Sequence, residues 1–472
     1  MGSKKTLVKN GLLFSLAPFI PKVVSVFLLP IMTKYLTATD YGIAGTISAY
    51  SQSIGALSTL GLAVVLMNSF YKDPENYRGT WKRIYGFLNC WMIVYAMLQS
   101  LILFFCIPEE AQANKWWIII LTNITTVFFG PTAQIGSAYF TYTKQSVPVV
   151  WRSVVAALIT MFSTFYLVVY MKTGYMGWYI GGFIGTLFSN ATYWPVVNLK
   201  LGLRPSYKFS IPELKHSLSV SVPTIPHYYT TYMMEGSGRM VLDQYSVPQE
   251  RIGQLSISQN IGDMYQVGVT GINQAVSPYF MSFIRNKEWR KYTILAYMFI
   301  AIVFSSAFLM SIWSKEIFGL LLSNKTLASA YPYAIVYIMA FCYRPMYVVS
   351  TNFNFYFEKT KQLLYITFTS GVSAISFYFL FTPFWGIWAF LIGHYIACLY
   401  MGYSGFFYSC YRKNAPLKLH PLIFMGIQIL ITIVAFTTVE YIFIKVGLTV
   451  VLISCMIPVL LRMRRLKVGS IN

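Results

Sequence analysis

Acidic residues are scarce in this chain: Asp and Glu together number 14, against 36 Lys and Arg, in 472 residues. The four charged residue types make up only 11% of the sequence, whereas a soluble domain is nearer a quarter charged. So little charge excludes a soluble domain of useful size. The net charge of +22 would suggest nucleic acid in a soluble protein, but here we expect no nucleic-acid partner. In a membrane protein, the same excess favours contact with anionic lipid headgroups of the bilayer.

Signatures of catalysis and metal binding are also missing. The six cysteines have no CxxC spacing and no histidine cluster beside them, which argues against disulfides and metal sites. No GxxxxGK[ST] stretch occurs, so the chain carries no ATP-binding loop of that kind. The longest loop on the predicted outer side, 315–331, lacks paired carboxylates, which argues against a membrane polysaccharide polymerase or ligase. We therefore expect no catalytic residues, no metal and no cofactor.

Long apolar segments are what the sequence has in abundance, since 56% of its residues are hydrophobic. A hydrocarbon core of about 30 Å needs roughly 20 apolar residues per helix. Such segments predict an all-α, polytopic membrane protein with about fourteen spans. Their predicted bounds are 11–35, 41–69, 84–107, 115–142, 146–170, 175–198, 217–245, 253–283, 291–314, 331–357, 361–382, 386–408, 421–442 and 446–461.

The loops between these spans alternate in positive charge. With the N-terminus placed inside, inside segments hold 25 Lys and Arg, outside loops hold seven, and four lie within spans. Cytoplasmic loops of membrane proteins carry such an excess of positive charge. The bias predicts an even number of spans with both termini in the cytoplasm, and we expect a multi-pass protein of the bacterial cytoplasmic (inner) membrane.

The two halves of the chain resemble one another. Pro18-x-x-Pro21 matches Pro223-x-x-Pro226, and each half then has an outer turn followed by a glycine, Gly42 or Gly253. Internal repeats are typical of transporters, whose substrate site lies between two lobes that rock around it. The predicted organisation is an N-terminal lobe of six spans, a cytoplasmic linker, a C-terminal lobe of six spans, and two additional helices with a basic tail, at residues 1–200, 201–216, 217–410 and 411–472.

Four cations fall within the predicted spans: Lys22, Arg152, Arg239 and Arg344. An ionisable side chain at membrane depth costs several kcal/mol unless it is paired or faces a wet cavity. Every acidic residue of the first half lies in a loop, so Lys22 and Arg152 have no carboxylate partner in their own lobe. We interpret the four as a cationic cavity for an anionic substrate. Pairing across the lobes with Asp263 or Glu235 is the alternative.

Glu235, Arg239 and Asp243 are spaced four apart, so they share one face of a helix. One interpretation is a ladder of ion pairs that satisfies itself. The other is an arginine that faces the cavity, because Gly236 and Gly238 loosen the helix there. Glu235, Asp243 and Asp263 are also candidates for coupling transport to a cation, H⁺ or Na⁺.

The stretch "HYYTTY" at 227–232 lies in mid-span, where an interfacial belt of aromatics does not explain it. Tyr228, Tyr229 and Tyr232 form a polar aromatic wall that suits a sugar. His227 is predicted to line the cavity and to titrate near neutral pH.

Several stretches resemble one family. "KYLTATDYGIAGTISAYSQSIGALSTLGLAVVLMNSFYKD", "SGRMVLDQYSVPQERIGQLSISQNIG" and "INQAVSPYF" are similar, in the correct order, to O-antigen and capsule repeat-unit flippases. These belong to the multidrug/oligosaccharidyl-lipid/polysaccharide exporter (MOP) superfamily. The resemblance implies a MATE-like fold and transport of an undecaprenyl-pyrophosphate glycolipid. It also implies a monomer and partners among polysaccharide polymerase or assembly proteins. A drug antiporter of the same superfamily is the alternative.

The chain departs from that family in two ways. Gly238 stands where many members have an acidic residue, and fourteen spans exceed the twelve of many O-antigen flippases. Lipid II flippases also have fourteen spans, and their last two helices help to form a groove for the polyprenyl tail. The resemblance to lipid II flippases therefore implies a groove for the lipid tail at 421–461.

Overall fold

Helices account for the regular structure of this protein. The structure is a computed structural model that describes residues 28–208, 210–415 and 419–465. Within these ranges every regular element is a helix and none is a strand. The all-α prediction is therefore confirmed.

Eight helices among the described residues are long and apolar enough to cross a membrane. Their bounds are Tyr77–Cys106, Glu109–Tyr142, Val147–Tyr170, Trp289–Ile312, Lys325–Tyr356, Lys361–Trp385, Ile387–Asn414 and Pro421–Thr438. Each coincides with a predicted span, so the chain is a multi-pass membrane protein. The full count of fourteen spans stays a prediction.

Several other predicted spans are interrupted helices. The span predicted at 41–69 consists of Ala38–Ser53 and Ala63–Lys72, separated by a 3₁₀ turn at Gly55–Leu57. Gly61 enters the left-handed region there, with a φ of +69° that a side chain would disfavour. The span predicted at 175–198 is likewise interrupted, since Tyr175–Ala191 is followed by short helical turns. Interruptions of this kind shorten the apolar helices below the length that a single span requires.

The chain forms two compact units. The first contains the described residues up to Gln254 together with Leu321–Asn324, and the second contains Leu255–Leu320 and the described residues from Lys325 onward. The short segment 321–324 is held in the first unit because Ser323 donates hydrogen bonds to Thr33 Oγ1 at 3.0 Å and to the Pro30 carbonyl at 2.9 Å. The predicted division into lobes at 201–216 stays a prediction.

Small residues bring helices of the first unit into close contact. Val147–Phe165 packs on Tyr175–Ala191, where a Cβ atom on Gly181 would lie 2.2 Å from Thr164 Oγ1. A Cβ atom on Gly185 would lie 1.9 Å from Thr160 Oγ1. Helices that associate in lipid use such small residues because no hydrophobic effect drives them together.

A second close crossing positions the site described below. A Cβ atom on Gly42 would lie 1.8 Å from the Gln249 carbonyl oxygen, and one on Gly253 would lie 1.8 Å from the Ala38 carbonyl oxygen. Gly42 and Gly253 are 211 residues apart in the sequence, as are Ala38 and Gln249. The contact is therefore reciprocal, which is the form that a two-fold repeat produces. It fixes helix Ala38–Ser53 against the start of helix Gln249–Arg285 within the first unit.

In the second unit, the last two helices are tied to the helices before them. The buried Gln428 donates to the Met339 carbonyl at 3.2 Å and accepts a hydrogen bond from Tyr403 at 3.0 Å. Lys445 forms an ion pair with Glu316, and Lys445 is itself only 1% exposed. The sequence places Lys445 in a loop, whereas the helix begins at Ile442 and Lys445 is helical.

Candidate functional site

The span predicted at 217–245, which carries the charged triplet, is a broken helix. It begins as Ile211–Ser221, passes through a 3₁₀ turn at Val222–Thr224, and continues as Ile225–Thr231. A π turn at Tyr232–Gly236 then leads into Ser237–Gln244. Proline removes a backbone donor, and π turns inside helices recur at functional sites. The interruptions therefore lie where the sequence places its polar residues.

Asp243 is half-buried and accepts hydrogen bonds from buried side chains. Its carboxylate accepts one bond from the Tyr50 hydroxyl at 2.8 Å and another from Gln249 Nε2 at 2.6 Å. Thr46 donates in turn to Gln249 Oε1 at 3.0 Å. Thr46, Tyr50 and Gln249 are all buried. Hydrogen bonds to an ionised acceptor are roughly twice as strong as neutral ones, so these donors offset much of the cost of burying the carboxylate.

Tyr229, Tyr232 and Arg239 lie on one short stretch of the broken helix. The Tyr229 hydroxyl donates to the Ser53 carbonyl, and the rings of Tyr229 and Tyr232 meet edge to face with centroids 6.0 Å apart. The Tyr232 hydroxyl donates to Met240 Sδ at 3.5 Å, and Arg239 follows Tyr232 by seven residues. Hydroxyls, aromatic faces and a guanidinium thus lie along the part of the helix that contains the π turn. Sugars and phosphates are recognised by groups of these kinds.

Gly236 makes this arrangement sterically feasible. A Cβ atom at Gly236 would lie 2.6 Å from Cδ2 of Tyr232, so any larger residue would displace the ring. Glu235, half-buried, lies in the same π turn. Gly236 thus leaves space for the Tyr232 ring. The loosening of the helix by Gly236 and Gly238 stays a prediction.

Arg152 lies in a different part of the first unit. Its guanidinium donates to the Thr192 hydroxyl at 3.1 Å, to the Thr192 carbonyl at 3.3 Å and to the Pro148 carbonyl. It also lies 4.4 Å from the ring centre of Tyr193, so it gains cation–π stabilisation. These neutral contacts link helix Val147–Phe165 to the segment that follows Tyr175–Ala191. These contacts favour a role for Arg152 in helix packing. Binding of substrate by Arg152 stays a prediction.

Arg344 and Asp263 belong to the second unit. Arg344 Nη1 donates to the Tyr343 hydroxyl at 3.1 Å, and the guanidinium lies 5.9 Å from the ring centre of Tyr347. Asp263 accepts a hydrogen bond from the Tyr337 hydroxyl at 3.0 Å. The absence of a side chain at Gly262 makes room for Tyr337, whose Cδ1 would otherwise lie 2.3 Å from a Cβ atom. Asp263 is thus held by a phenol within its own unit.

Three of the predicted site residues cannot be placed. Lys22 and the side chains of His227 and Tyr228 lie outside the described residues. Within the described part, no group of three His, Cys, Asp or Glu residues could hold a metal ion. The structure thus packs Tyr229 against Tyr232 on the helix that carries Arg239, and places Asp243 beside Tyr50.

Sequence reasoning missed the neutral partners of Asp243. Tyr50 and Gln249 lie 193 and six residues away from it, at ordinary positions for an apolar helix and a polar turn. The only available signal was that Gly42 and Gly253 occupy equivalent positions in the two halves. Glycines at equivalent positions could have predicted a close helix crossing beside Asp243.

The family of this chain follows from comparison of its sequence with known families. The sequence profile of the family described as "Polysaccharide biosynthesis protein" matches residues 7–284, which is more than half of the chain. The chain belongs to the polysaccharide biosynthesis protein family. A comparison with curated proteins finds no match.

Solved structures of this membrane-transporter fold extend the likeness to nearly the whole chain. The lipid II flippase MurJ in an inward closed conformation has a TM-score of 0.66 at 17% identity, covering 93% of this chain and 100% of that one. A MOP superfamily transporter from Pyrococcus furiosus has a TM-score of 0.57 at 11% identity, covering 88% and 97%. An inward-facing multidrug resistance MATE family transporter has a TM-score of 0.54 at 12% identity, covering 86% and 94%. At these identities the likeness establishes the fold, which is the MATE-like fold expected from the sequence.

Proposed function

We propose that this polysaccharide biosynthesis protein is a flippase. It moves undecaprenyl-pyrophosphate-linked oligosaccharide repeat units from the inner to the outer leaflet of the cytoplasmic membrane by alternating access. The repeat units then serve cell-surface polysaccharide synthesis, such as that of O-antigen or capsule. The family, and a fold shared with the lipid II flippase MurJ, support transport of a lipid-linked sugar.

One observation supports the assignment of residues: Arg239 lies on the same broken helix as the packed rings of Tyr229 and Tyr232, seven residues after Tyr232 and just beyond the π turn. A guanidinium presents planar N–H donors that match phosphate oxygens in pairs. Tyrosines supply both an apolar face and a hydroxyl, which suits a sugar ring. Arg239 is therefore assigned to the pyrophosphate and the tyrosines to the sugar, with Lys22 as a further cation for the headgroup. Binding of substrate by Arg344 stays a prediction.

The remaining features of the proposal concern membrane placement and energy. Both termini lie in the cytoplasm, and the chain acts as a transporter without chemical catalysis. Because the sequence lacks a GxxxxGK[ST] loop for ATP, an ion gradient, the membrane potential or consumption of the product downstream supplies the energy. Glu235, Asp243 and Asp263 are the candidate carriers of H⁺ or Na⁺. Polysaccharide polymerase or assembly proteins accept the product, and helices at 421–461 hold the lipid tail.

A cation-coupled drug antiporter is the second candidate. Asp263 and its partner Tyr337 favour it, because a carboxylate within the second unit could hold an organic cation. The two functions differ in the charge of the transported molecule. An antiporter of this kind needs an acidic cavity, whereas the predicted spans of the first half hold cations but no carboxylate, so we rank the flippase first.

Proteoliposomes containing the purified chain distinguish the two functions. One set holds a fluorescent polyprenyl-pyrophosphate disaccharide, and the other is loaded with a fluorescent organic cation. We expect the rate of glycolipid flipping to rise with protein content, while cation efflux stays at the level of empty liposomes. Efflux of the cation without flipping of the glycolipid would establish the antiporter instead.

A further inference from the structure

A cavity of about 230 Å³ opens beside the first helix of the broken span. It lies within the first unit, between the helices Ala63–Lys72, Tyr77–Cys106 and Ile211–Ser221. The segment before Ile211 is fixed to the second of these helices. The Ser206 N–H donates to the Lys82 carbonyl at 2.8 Å, and a Cβ atom on Gly86 would lie 2.1 Å from the Ser206 carbonyl oxygen. These contacts hold the helices that form the cavity wall in place.

The walls of the cavity are divided by chemistry. The apolar side chains of the wall are Leu62, Val65, Ile84, Phe87 and Leu214. The polar ones are Thr80, Arg83, Glu213, His216 and Ser217. An apolar wall next to a guanidinium and an imidazole fits an amphiphile better than a free sugar or a free ion.

Arg83 retains donors for a ligand. Its Nε pairs with Glu213 Oε2 at 3.1 Å, and one Nη atom donates to Thr80 Oγ1 at 3.4 Å. These contacts use two of the five N–H donors of a guanidinium. The side chains of Arg83 and Glu213 are 37% and 57% exposed, and ion pairs so exposed are weak. Glu213 can therefore be displaced by a stronger anion.

The net charge around the cavity is positive. Residues 72–83 and 200–217 together carry eight Lys and Arg against three carboxylates. A phosphate has more charge and more acceptor atoms than a carboxylate and pairs with arginine in two parallel hydrogen bonds. Since this unit contains membrane-spanning helices, the abundant molecule that combines a phosphate with an apolar chain is a phospholipid.

We propose that this cavity binds one anionic phospholipid. An acyl chain lies against Val65, Ile84 and Phe87, and the phosphate binds Arg83 in competition with Glu213. The bound lipid attaches helix Ile211–Ser221, the first part of the broken span that carries Arg239, to the membrane surface. This inference goes beyond the proposed function, because it requires no particular transported substrate.

Native mass spectrometry of the purified full-length chain tests the site. Phosphatidylglycerol is added to the delipidated protein in detergent, and its dissociation constant for the first bound molecule is measured. Arg83→Gln should weaken that binding about tenfold, which corresponds to the loss of one charge-assisted pair. Glu213→Gln should strengthen it, because the competitor loses its charge. Lys291→Gln removes one partner of the exposed Lys291–Glu288 pair in the second unit and should leave binding unchanged.

A second set of measurements identifies the ligand. Val65→Trp fills the cavity without changing its charge and should abolish retention of phosphatidylglycerol, whereas inorganic phosphate should not compete. Equal binding of phosphatidylcholine, or equal effects of Arg83→Gln and Lys291→Gln, would overturn the proposal. So would retention of undecaprenyl phosphate but not phosphatidylglycerol. If Val65→Trp does not fold, the opposite shifts expected for Arg83→Gln and Glu213→Gln still decide the matter.

Discussion

Tyr50 donates a 2.8 Å hydrogen bond to Asp243, although 193 residues separate them in the sequence. With the bond from Gln249, it joins helix Ala38–Ser53 to helix Ser237–Gln244 inside the first unit. The carboxylate thus has two neutral donors, one from a distant helix and one from six residues further along the chain. Its presence within an apolar span is explained by these partners, whatever further role it has in transport.

Removing the Tyr50 hydroxyl should destabilise the first unit. Tyr50→Phe leaves Asp243 with one fewer donor, and the loss of a buried hydrogen bond to a charged group costs about 1–3 kcal/mol. Unfolding in mixed micelles with increasing SDS, followed by circular dichroism, measures the free energy. In the background of Asp243→Asn, the same substitution should cost less. Tyr71→Phe, at an exposed position, is the control. Equal costs of Tyr50→Phe in both backgrounds would show that the two side chains are not coupled.

The close helix crossing predicts opposite effects for two glycine substitutions on one helix. A Cβ atom at Gly253 meets the Ala38 carbonyl oxygen, whereas one at Gly268 meets nothing within 4 Å. Gly253→Ala should therefore destabilise the protein by about 1–3 kcal/mol through overpacking. Gly268→Ala should be neutral or stabilising by up to about 1 kcal/mol, because alanine is the better helix former. The midpoint of SDS unfolding measures both, and a lower midpoint for Gly268→Ala than for Gly253→Ala would refute the crossing.

The exposed ion pair between Lys315 and Glu440 in the second unit predicts that stability depends on pH. Hydrogen bonds from Lys315 and Tyr331 hold the pKa of the Glu440 carboxyl below its ordinary value of 4.5. A carboxyl with a lowered pKa in the folded state stabilises the protein above its unfolded pKa. That contribution is lost as the pH falls through the folded value. The stability advantage of the wild type over Glu440→Gln should thus be complete above about pH 4.5 and should shrink below it. Thermal unfolding between pH 3 and 7, about the range in which carboxyls titrate, measures it, and a constant difference would contradict the pairing.

Arg152 should matter for stability before it matters for transport. Lysine cannot reproduce the fork onto Thr192 and Pro148, so Arg152→Lys should lower the free energy of unfolding by about 1–3 kcal/mol. Arg251→Lys, at an exposed position, should leave it unchanged. If Arg152→Lys instead unfolds like the wild type but binds the glycolipid more weakly, Arg152 belongs to the substrate site.

Much of the fold could be predicted from the sequence because lipid imposes a simple rule. A long apolar helix such as Trp289–Ile312 satisfies its own backbone, so hydropathy alone identifies it. The rule fails where glycine or proline breaks a helix, as at Gly61 and at Pro223. There the position of the break depends on packing, and a window of average hydropathy does not register it.

The candidate site was less predictable than the fold. The position of Arg239 beside tyrosines follows from short spacings along one helix, so the sequence could suggest it. The partners of Arg152 and Asp243 lie 40 and 193 residues away, at Thr192 and Tyr50. Neutral partners at such separations produce no pattern of opposite charges in the sequence. For this reason the sequence alone predicted that Arg152 was an unpaired cation.

The rate of glycolipid flipping by Arg239→Gln tests the central claim most directly. The proteoliposomes carry the fluorescent polyprenyl-pyrophosphate disaccharide, and the rate is compared with those of the wild type and of Arg251→Gln, an exposed arginine near the same outer turn. Circular dichroism and gel filtration confirm that all three proteins are folded. If Arg239 binds the pyrophosphate, its substitution should slow flipping at least about tenfold, the loss expected for one charge-assisted pair, while Arg251→Gln keeps the wild-type rate. Wild-type flipping by a folded Arg239→Gln protein would contradict the account.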